Sequence, residues 1–380
     1  MTLFSKEHES FRERVRSFVD SRLAPHADEW ERNCGFPTEV FREFGDEGLL
    51  GLTQARDCGG KGLDFGYAVV LAEELPRSKM MGLTLSIMAQ AHIYSPLVGA
   101  LGTMTQKEQF LTPAIKGEKI GALACTEPWG GSDIIRATHC EALDDGDSWV
   151  INGEKKFITN GPIADFVVVL ARTKSEVNIS SLSLILLPTT TKGFRIKERL
   201  RKLGLHTSPT GWLEFESCRI PKYLTLGKVN LGYFYVARSI LEERLLAGVI
   251  AVSICQMILA ETARYAQDRT VFGRPLSQLQ AIRHRFAELA TEVEMTRRFV
   301  YSVCESYRDG KVEEREICMI KLQAASVVQR VVEQCLQWQG GYGFLEDNWM
   351  TRIFRDARML SVGGGPSELM KDLVASYLRL

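Results

Sequence analysis

The hydrophobic period of the chain changes twice, and this order limits the folds available to it. From residue 1 to about 120 apolar residues recur at helical spacing, as in PTEVFREFGDEGLLGL and DFGYAVVLAEELPRS. From about 121 to 225 they alternate in short runs such as DFVVVLART and SSLSLILLP, which is typical of β-strands. Helical spacing then returns. The order predicts an α+β chain with an α-helical domain over 1–120, a β domain over 121–225 and an α-helical bundle over 226–380.

The charge and composition of the chain exclude several classes of protein. Its 380 residues suffice for two or three subdomains, and 47 basic residues balance 47 acidic ones. Without a basic excess, we expect no binding to nucleic acid or to an anionic membrane surface. No apolar run reaches the roughly 18 residues that indicate a membrane span. The N-terminal stretch predicts an amphipathic helix and no targeting peptide, so we expect a cytoplasmic protein, or a mitochondrial one only where a presequence precedes this sequence.

Motifs of metal catalysis and nucleotide hydrolysis are missing from the sequence. It contains no P-loop, no H-E-x-x-H and no G-x-G-x-x-G between a strand and a helix. The nine cysteines form no C-x-x-C pair, so we predict neither a zinc site nor a disulfide framework. No bound metal is therefore expected.

Four segments combine glycines with hydroxyl or aromatic residues. The backbone of ACTEPWGGSD (124–133) could approach a ligand closely and cradle a pyrophosphate, or the segment is an ordinary glycine-rich connection. In EKKFITNG (154–161), Phe157 and Thr159 share one face of a strand, either toward a ligand or as a core Phe beside a solvated Thr. QWQGGYGF (337–344) and GGGPSELM (363–370) could each be a helix cap followed by a turn.

Together with DRTVFGRPLSQLQAI (268–282), these segments resemble the successive signatures of the acyl-CoA dehydrogenase family, over essentially the whole chain. The resemblance implies a helical N-terminal domain, a small antiparallel β-barrel domain and a C-terminal four-helix bundle. It also implies an FAD-dependent oxidoreductase that converts an acyl-CoA thioester to the trans-2-enoyl-CoA and passes electrons to an electron-transfer flavoprotein. Because the family shares its FAD between subunits, the resemblance further implies a homo-oligomer, usually a tetramer.

The same resemblance assigns residues to the cofactor. Thr126 matches a residue that touches the flavin ring, and Gly131 and Ser132 match residues near the pyrophosphate and the acyl-CoA. Phe157 matches an aromatic, often Trp, against one flavin face, and Thr159 matches the hydroxyl that bonds the ring nitrogen receiving the hydride. Arg269, Gln280 and the loop 337–341 match positions that hold the ADP half of a neighbouring subunit's FAD. The other implied FAD residues are Leu123, Cys125, Phe272, Gln337, Gln339, Gly340, Gly341, Pro366, Ser367 and Glu368.

The family places its catalytic base at one of two positions. One precedes the last helix and is Gly364 here, which has no side chain. The other begins the first helix of the C-terminal bundle, as in isovaleryl-CoA and long-chain acyl-CoA dehydrogenases, and is Glu243 here, within SILEERLLAG (239–248). The resemblance implies that Glu243 removes the α proton, while the Gly364 N–H helps polarise the thioester carbonyl. From the residues alone, a structural role for Glu243, in a salt bridge with Arg244 or with a remote Lys, stays open as the alternative to a catalytic role.

Helical spacing places Glu243 on an apolar face, where burial is expected to raise its pKa toward the range useful to a general base. The implied substrate residues are Ser132, Phe234, Leu241, Arg244, Gly364 and Gly365. Trp129, Phe157 and Pro366 depart from the family pattern, and Pro366 removes a backbone donor. Two alternatives stay open. In the first, the fold and flavin are kept but the enzyme acts on an acyl-carrier-protein thioester or reduces an enoyl thioester in a biosynthetic pathway. In the second, the protein is a non-enzymatic relative that binds acyl-CoA or a partner without turnover.

Overall fold

The computed structural model describes residues 3–380, and its elements follow the predicted order of helices, strands and helices. The N-terminal part is built from amphipathic helices whose apolar faces meet, as Phe11 and Val15 do in the first of them. The helices of this part are α1 Lys6–Phe18, α2 Ala27–Arg32, α3 Glu39–Asp46, α4 Phe65–Glu74, α5 Met81–Ala89, α6 Ser95–Leu101, α7 Met104–Gln106 and α8 Thr112–Ile115. A π-helical segment, Gln90–Tyr94, joins α5 to α6.

The middle part is one eight-stranded sheet. Its order is β6-β7-β3-β2-β4-β5-β8, and β1 pairs with β4. The sheet departs from the predicted antiparallel pattern at one place, where β1 and the start of β2 run parallel to β4. The long connection from β1 to β4 allows this, because parallel neighbours need a crossover. The elements are β1 Gly121–Ala124, α9 Ile134–Ala137, β2 Glu141–Asp145, β3 Ser148–Thr159, β4 Phe166–Arg172, β5 Leu182–Pro188, β6 Phe194–Arg199, β7 Thr210–Pro221 and β8 Thr225–Leu226.

Long helices form the C-terminal part, with a short hairpin between the first two. Helices α10 and α12 approach closely at Gly248, where an added Cβ would stand 2.4 Å from Cγ2 of Ile320. This contact sets the next residue, Lys321, beside the first turns of α10. The elements are α10 Gly232–Asp268, β9 Thr270–Val271, β10 Arg274–Pro275, α11 Gln280–Arg308, α12 Glu314–Trp338, α13 Trp349–Ala357 and α14 Ser367–Tyr377.

Helix α10 is long and apolar enough to cross a membrane by length and composition, but 67% of its apolar window is buried inside the protein. Buried apolar residues from its middle, among them Leu245, Val249 and Ile254, belong to a core shared by the N-terminal and C-terminal helices. A second core lies between the sheet and the segment that contains α6 and α8. Helix α10 is therefore the central packing element of the helical core.

The three parts meet around Asp356 on α13. The backbone N–H of Leu205, from the middle part, donates to Oδ1 of Asp356. Glu31, from the N-terminal part, lies 3.4 Å from Nδ1 of His206 and 3.7 Å from Nη2 of Arg355. Burial raises the pKa of Asp356 to about 7. The junction thus contains a carboxyl that titrates near neutrality.

Candidate active site

The glycine-rich loop after β1 lies against strand β3. The hydroxyl of Thr126 donates to the carbonyl of Lys156, and the Lys156 N–H donates back to the Thr126 carbonyl at 2.9 Å. Gly131 folds onto the same threonine, since an added Cβ there would stand 2.9 Å from its Cγ2. Strands β1 and β3 and this loop together carry seven of the residues predicted to hold FAD: Leu123, Cys125, Thr126, Gly131, Ser132, Phe157 and Thr159.

Phe157 occupies a bulge in β3 that turns its ring outward. The pairing of β3 with β7 shifts between Lys156 and Ile158, and Phe157 has φ +66°. A left-handed conformation is rare for a bulky residue and costs on the order of 1–3 kcal/mol. Its side chain is 60% exposed whereas Ile158 is buried. The alternative of a core Phe is wrong, because the ring stands on the uncovered side of the strand.

A buried ion pair that sequence reasoning missed supports this loop. Nζ of Lys155 donates to Oε1 of Glu127 at 2.8 Å and to the carbonyl of Cys125 at 2.9 Å. The Glu127 carboxylate also accepts from the backbone N–H groups of His139 and Cys140. Alternation from the buried Trp149 and Ile151 places Lys155 on the core side of β3, but its partner Glu127 comes from a distant loop that no local pattern identifies.

A second group of predicted FAD residues meets in an open pocket of about 480 Å³. The wall comes from the C-terminal part alone, at the ends of α10 and α12: Tyr265, Arg269, Val271, Leu276, Trp338, Gln339, Gly340, Gly341, Tyr342 and Leu345. Among the ion pairs of residues 3–380, none includes Arg269, so its guanidinium is open to an anionic ligand. An added Cβ at Gly340 or Gly341 would meet nothing within 4 Å. The pocket wall is therefore open at the predicted loop.

Other predicted cofactor residues stand outside that wall or are engaged elsewhere. Gln280 and Gln337 are exposed, and Phe272 is 97% exposed. The Gln339 side chain bonds Asn348 and Met350, so it shapes the pocket rather than reaching into it. Pro366, Ser367 and Glu368 begin α14, next to the glycine loop.

The two alternative positions of the family's base lie side by side. A Cβ built on Gly364 would stand 3.4 Å from Oε1 of Glu243. Burial raises the pKa of Glu243, against the opposing charges of Arg244 and Lys321, although the residue as a whole keeps some exposure. The charge of Glu243 also contributes to raising the pKa of Cys125, after burial. The carboxyl thus lies within electrostatic range of the loop after β1.

Two buried cations hold the glycine loop rather than the carboxyl. Nε of Arg244 donates to the Gly364 carbonyl at 2.8 Å, and Nζ of Lys321 donates to the Gly365 carbonyl. Burial and the charge of Arg244 lower the pKa of Lys321 to about 8. Among ion pairs of the described residues, none includes Glu243, so the structural salt bridge left open above does not form. Lys321 escaped sequence reasoning because only the close packing at Gly248 brings it here.

The glycine loop also offers a free donor. Gly364 and Gly365 have φ +66° and +99°, conformations that favour glycine. In the described chain the Gly364 N–H donates to no protein acceptor, whereas the N–H of Gly363 donates to Met359. A carbonyl oxygen placed beside Glu243 could accept from this N–H. Phe234, by contrast, is 46% exposed and lies roughly 13 Å earlier along α10, while Leu241 is partly buried.

Within residues 3–380, no group of three or more His, Cys, Asp or Glu side chains could hold a metal ion. The site instead offers an unpaired carboxyl, a free N–H, an exposed aromatic ring and hydroxyl groups. The fold and this set of groups define an enzyme of the helix–sheet–helix type whose carboxyl can take a proton from a substrate held by the neighbouring N–H.

Comparison with known proteins narrows this class to one family. Profiles of the acyl-CoA dehydrogenase N-terminal, middle and C-terminal domains match residues 5–118, 122–218 and 230–378. The chain belongs to the acyl-CoA dehydrogenase family. Members of this family are flavoproteins that use FAD, act on acyl-CoA and pass electrons to electron-transferring flavoprotein.

Relatives resemble the chain along nearly all of its length. The long-chain specific acyl-CoA dehydrogenase of Rattus norvegicus is 35% identical, covering 99% of this chain and 87% of its own. A 3-(aryl)acrylate reductase of Clostridium sporogenes is 31% identical, covering 99% of both chains. The crystal structure of an acyl-CoA dehydrogenase from Geobacillus kaustophilus superposes with a TM-score of 0.95 at 33% identity, covering 99% of both chains. The predicted family and fold are thereby confirmed.

Proposed function

We propose that this enzyme dehydrogenates an acyl-CoA between its α and β carbons, with Glu243 as the base. The observation that carries the proposal is the position of the Glu243 carboxyl, 3.4 Å from where a Cβ of Gly364 would stand. At the family's base position before the last helix this chain has Gly364, which has no side chain. The Glu243 carboxyl from α10 reaches the space that a side chain at residue 364 would occupy. Burial raises the pKa of this carboxyl, which favours proton transfer near neutral pH.

The free N–H of Gly364 supports the same assignment. An α C–H gives up its proton to a carboxylate only when the thioester carbonyl is polarised, and a preorganised N–H donor contributes about 3–4 kcal/mol to that. Arg244 and Lys321 donate to the carbonyls of Gly364 and Gly365, and these bonds hold the loop that carries this N–H. Glu243 therefore holds the proton, and Gly364 orients and polarises the thioester.

The residues present fit a bound FAD. The loop 124–133 and β3 offer backbone groups, the Thr159 hydroxyl and the outward ring of Phe157 to the flavin part, while Arg269 and the open loop 339–341 offer a site for the ADP half of a neighbouring subunit's FAD. When bound, FAD supplies the acceptor for the β hydride. The glutaryl-CoA dehydrogenase of Mycobacterium smegmatis, solved in complex with FADH2, superposes with a TM-score of 0.93 at 26% identity.

We further propose that copies of the chain assemble, as a tetramer, and that electrons leave to an electron-transfer flavoprotein. The ADP-side pocket lies entirely on the C-terminal part, and the chain next to its lining carries Phe272 and Phe344, 97% and 92% exposed. Apolar rings this exposed are typical of surfaces that a partner covers.

The test is flavin reduction under anaerobic conditions. Purified holoprotein is titrated with a panel of straight and branched acyl-CoAs, and loss of the flavin absorbance is followed. We expect bleaching by at least one acyl-CoA and formation of the enoyl-CoA. A holoprotein that no member of the panel bleaches would contradict the proposal.

A second direction of the same chemistry has one observation in its favour. The 31% identical relative from Clostridium sporogenes is a 3-(aryl)acrylate reductase, so a family member of this similarity reduces a double bond. Reoxidation of chemically reduced holoprotein by an enoyl-CoA, faster than bleaching by the matching acyl-CoA, would favour this direction. The same comparison with thioesters of acyl carrier protein tests the carrier.

A further inference from the structure

The connection between β6 and β7 contains a strained residue that a carboxyl holds in place. Leu205 has φ +54° although its side chain is bulky and buried, and this left-handed conformation is rare for such a residue. The Leu205 N–H donates to Oδ1 of Asp356 on α13. Gly204 lies so close to α13 that an added Cβ would stand 2.6 Å from the same oxygen. The bond from Asp356 therefore stabilises a backbone conformation that Leu205 would not adopt by itself.

The surroundings of Asp356 are costly to bury. In residues 3–380, seven buried side-chain nitrogen or oxygen atoms have no hydrogen-bond partner. Five of these seven atoms belong to side chains that meet at this junction: Glu31, Arg352, Arg355 and Asp356. Buried polar atoms without a partner are destabilising, and apolar side chains of similar size often replace such groups without loss of stability. An apolar residue at position 356 could not accept from the Leu205 N–H, so this bond distinguishes Asp356 from a residue that only packs.

Further hydrogen bonds make the turn 205–209 one unit. The Ser208 N–H donates to the Leu205 carbonyl at 2.9 Å, and Nζ of Lys202 donates to the Ser208 carbonyl at 2.8 Å. From α5, the Leu83 N–H donates to the hydroxyl of Thr207 at 3.1 Å. Two helices therefore hold this turn from outside, α13 at Leu205 and α5 at Thr207.

The turn is also bonded to the end of β3. The Asn160 N–H donates to the Pro209 carbonyl at 2.7 Å, and Thr159 pairs with Thr210 at the start of β7. Asn160 is fully buried, and its side-chain amide donates to the Ser86 carbonyl at 3.0 Å and accepts from the Ser86 hydroxyl. Thr159 is partly exposed between two buried neighbours. A shift of the turn would therefore move the strand end that carries the Thr159 hydroxyl.

We propose that Asp356 is a positioning residue for the dehydrogenation: its carboxyl oxygen holds Leu205, and the turn 205–209 thereby places the Thr159 hydroxyl against the flavin ring. The inference rests on the proposed function, which sets Thr159 beside the flavin. A misplacement of about 1 Å by a change far from the reacting atoms can cost about 100-fold in rate. Release of the turn should therefore slow flavin reduction without weakening the binding of acyl-CoA, because Asp356 touches neither substrate nor base.

The experiment follows stopped-flow reduction of holoprotein by an acyl-CoA that bleaches the wild type. Asp356→Leu removes the acceptor, so the limiting rate of flavin reduction should fall about tenfold or more, while the Kd of the acyl-CoA and the FAD content stay at wild-type values. Asp356→Asn keeps an oxygen that can accept from the Leu205 N–H and should restore most of the rate. Asp28→Asn is the matched control, because Asp28 bonds Arg352 at the same junction but not the turn; it should keep the wild-type rate.

A double-mutant cycle with Thr159→Val tests whether the effect passes through the Thr159 hydroxyl. Thr159→Val keeps the shape of the side chain but removes the hydroxyl, so Asp356→Leu should cost little further rate in that background. The visible circular dichroism of the oxidised flavin, measured without substrate, should change in Asp356→Leu and stay the same in Asp28→Asn. A full loss of rate on top of Thr159→Val overturns the inference, and so do an unchanged rate and dichroism in Asp356→Leu.

A second variant keeps the test decisive if Asp356→Leu does not fold. Thr207→Val frees the same turn from α5 by the loss of one hydroxyl, and it should lower the rate and alter the dichroism in the wild-type background but not beyond Thr159→Val. A wild-type rate and dichroism in Thr207→Val overturn the inference. The same result in Thr159→Val also overturns it, whereas a wild-type holoprotein that no acyl-CoA bleaches contradicts the proposed dehydrogenation and leaves the dichroism to test the inference.

Discussion

Oε1 of Glu243 lies 3.4 Å from the point where a Cβ of Gly364 would stand, although the two residues are far apart in sequence. A side chain at either of these two backbone positions would therefore reach the same point in space. A carboxyl can be delivered there from helix α10 or from the loop before α14, and in this chain only α10 delivers it.

Removal of the carboxyl charge at residue 243 should abolish most turnover. Glu243→Gln keeps size and hydrogen bonding but cannot accept the α proton, so kcat should fall on the order of 10²–10⁴-fold. FAD content should stay at the wild-type level. Stopped-flow bleaching measures the effect, and Glu261→Gln, farther along the same helix, is the control. Turnover close to wild type in Glu243→Gln would remove Glu243 from its role.

The catalytic carboxylate should also function when it is placed at residue 364 instead of residue 243. The double variant with Glu243→Gly and Gly364→Glu should recover at least tenfold activity over Glu243→Gly alone, because both side chains reach the same spot. Full recovery is not expected, since Gly364 has φ +66°, a conformation that costs a non-glycine residue about 1–2 kcal/mol. Equal rates for the double and single variants would refute the shared location.

The pH dependence of catalysis should respond to Lys321. Burial raises the pKa of Glu243 and the charge of Lys321 opposes this rise. The base acts deprotonated, so kcat/KM falls as the pH drops through that pKa. Lys321→Met removes the opposing charge, and the acidic limb of the profile should move to higher pH. Lys371→Met, on the exposed surface of α14, should leave the limb in place; a limb unmoved in both variants would contradict the coupling.

Stability should depend on pH through Asp356. Its folded pKa of about 7 lies above the ordinary value of 3.8, so the folded state keeps a proton that the unfolded state releases. The stabilisation is complete below about pH 4 and declines as the pH rises to about 7. Asp356→Asn should gain about 2 kcal/mol relative to wild type between pH 5.5 and pH 8. Urea unfolding at the two pH values measures it, and an equal change in Asp372→Asn would disprove the assignment.

Cofactor retention should depend on Arg269. Its guanidinium faces the pocket without a carboxylate partner among the described residues, so Arg269→Ala should weaken FAD binding about 10–100-fold. The flavin-to-protein ratio after dialysis and the molar mass by light scattering report cofactor and assembly together. Arg264→Ala, which breaks only a surface pair with Glu261, should keep its flavin. A fully flavinated Arg269→Ala protein would exclude the role.

Hydrophobic periodicity sufficed for the long helices: its helical run over about 232–268 predicts one helix there, and α10 spans Gly232–Asp268. Periodicity did not predict that β1 pairs in parallel with β4, because the pairing of strands joined by a long connection leaves no local pattern in the sequence. Resemblance located Glu243, Gly364 and Arg269, whereas the roles of Lys155 and Lys321 came only from the structure. Lys155 pairs with Glu127 across a long stretch of chain, and the position of Lys321 depends on the close approach at Gly248, and neither contact has a sequence period.

The hydrogen bonds from Arg244 and Lys321 to the glycine loop have an electrostatic consequence for the proposed reaction. Before proton transfer, one negative carboxylate offsets two positive side chains. When Glu243 becomes neutral, that offset vanishes just as negative charge grows on the thioester oxygen. The electrostatic potential around the thioester oxygen thus becomes more positive while negative charge develops on that oxygen, although neither cation moves.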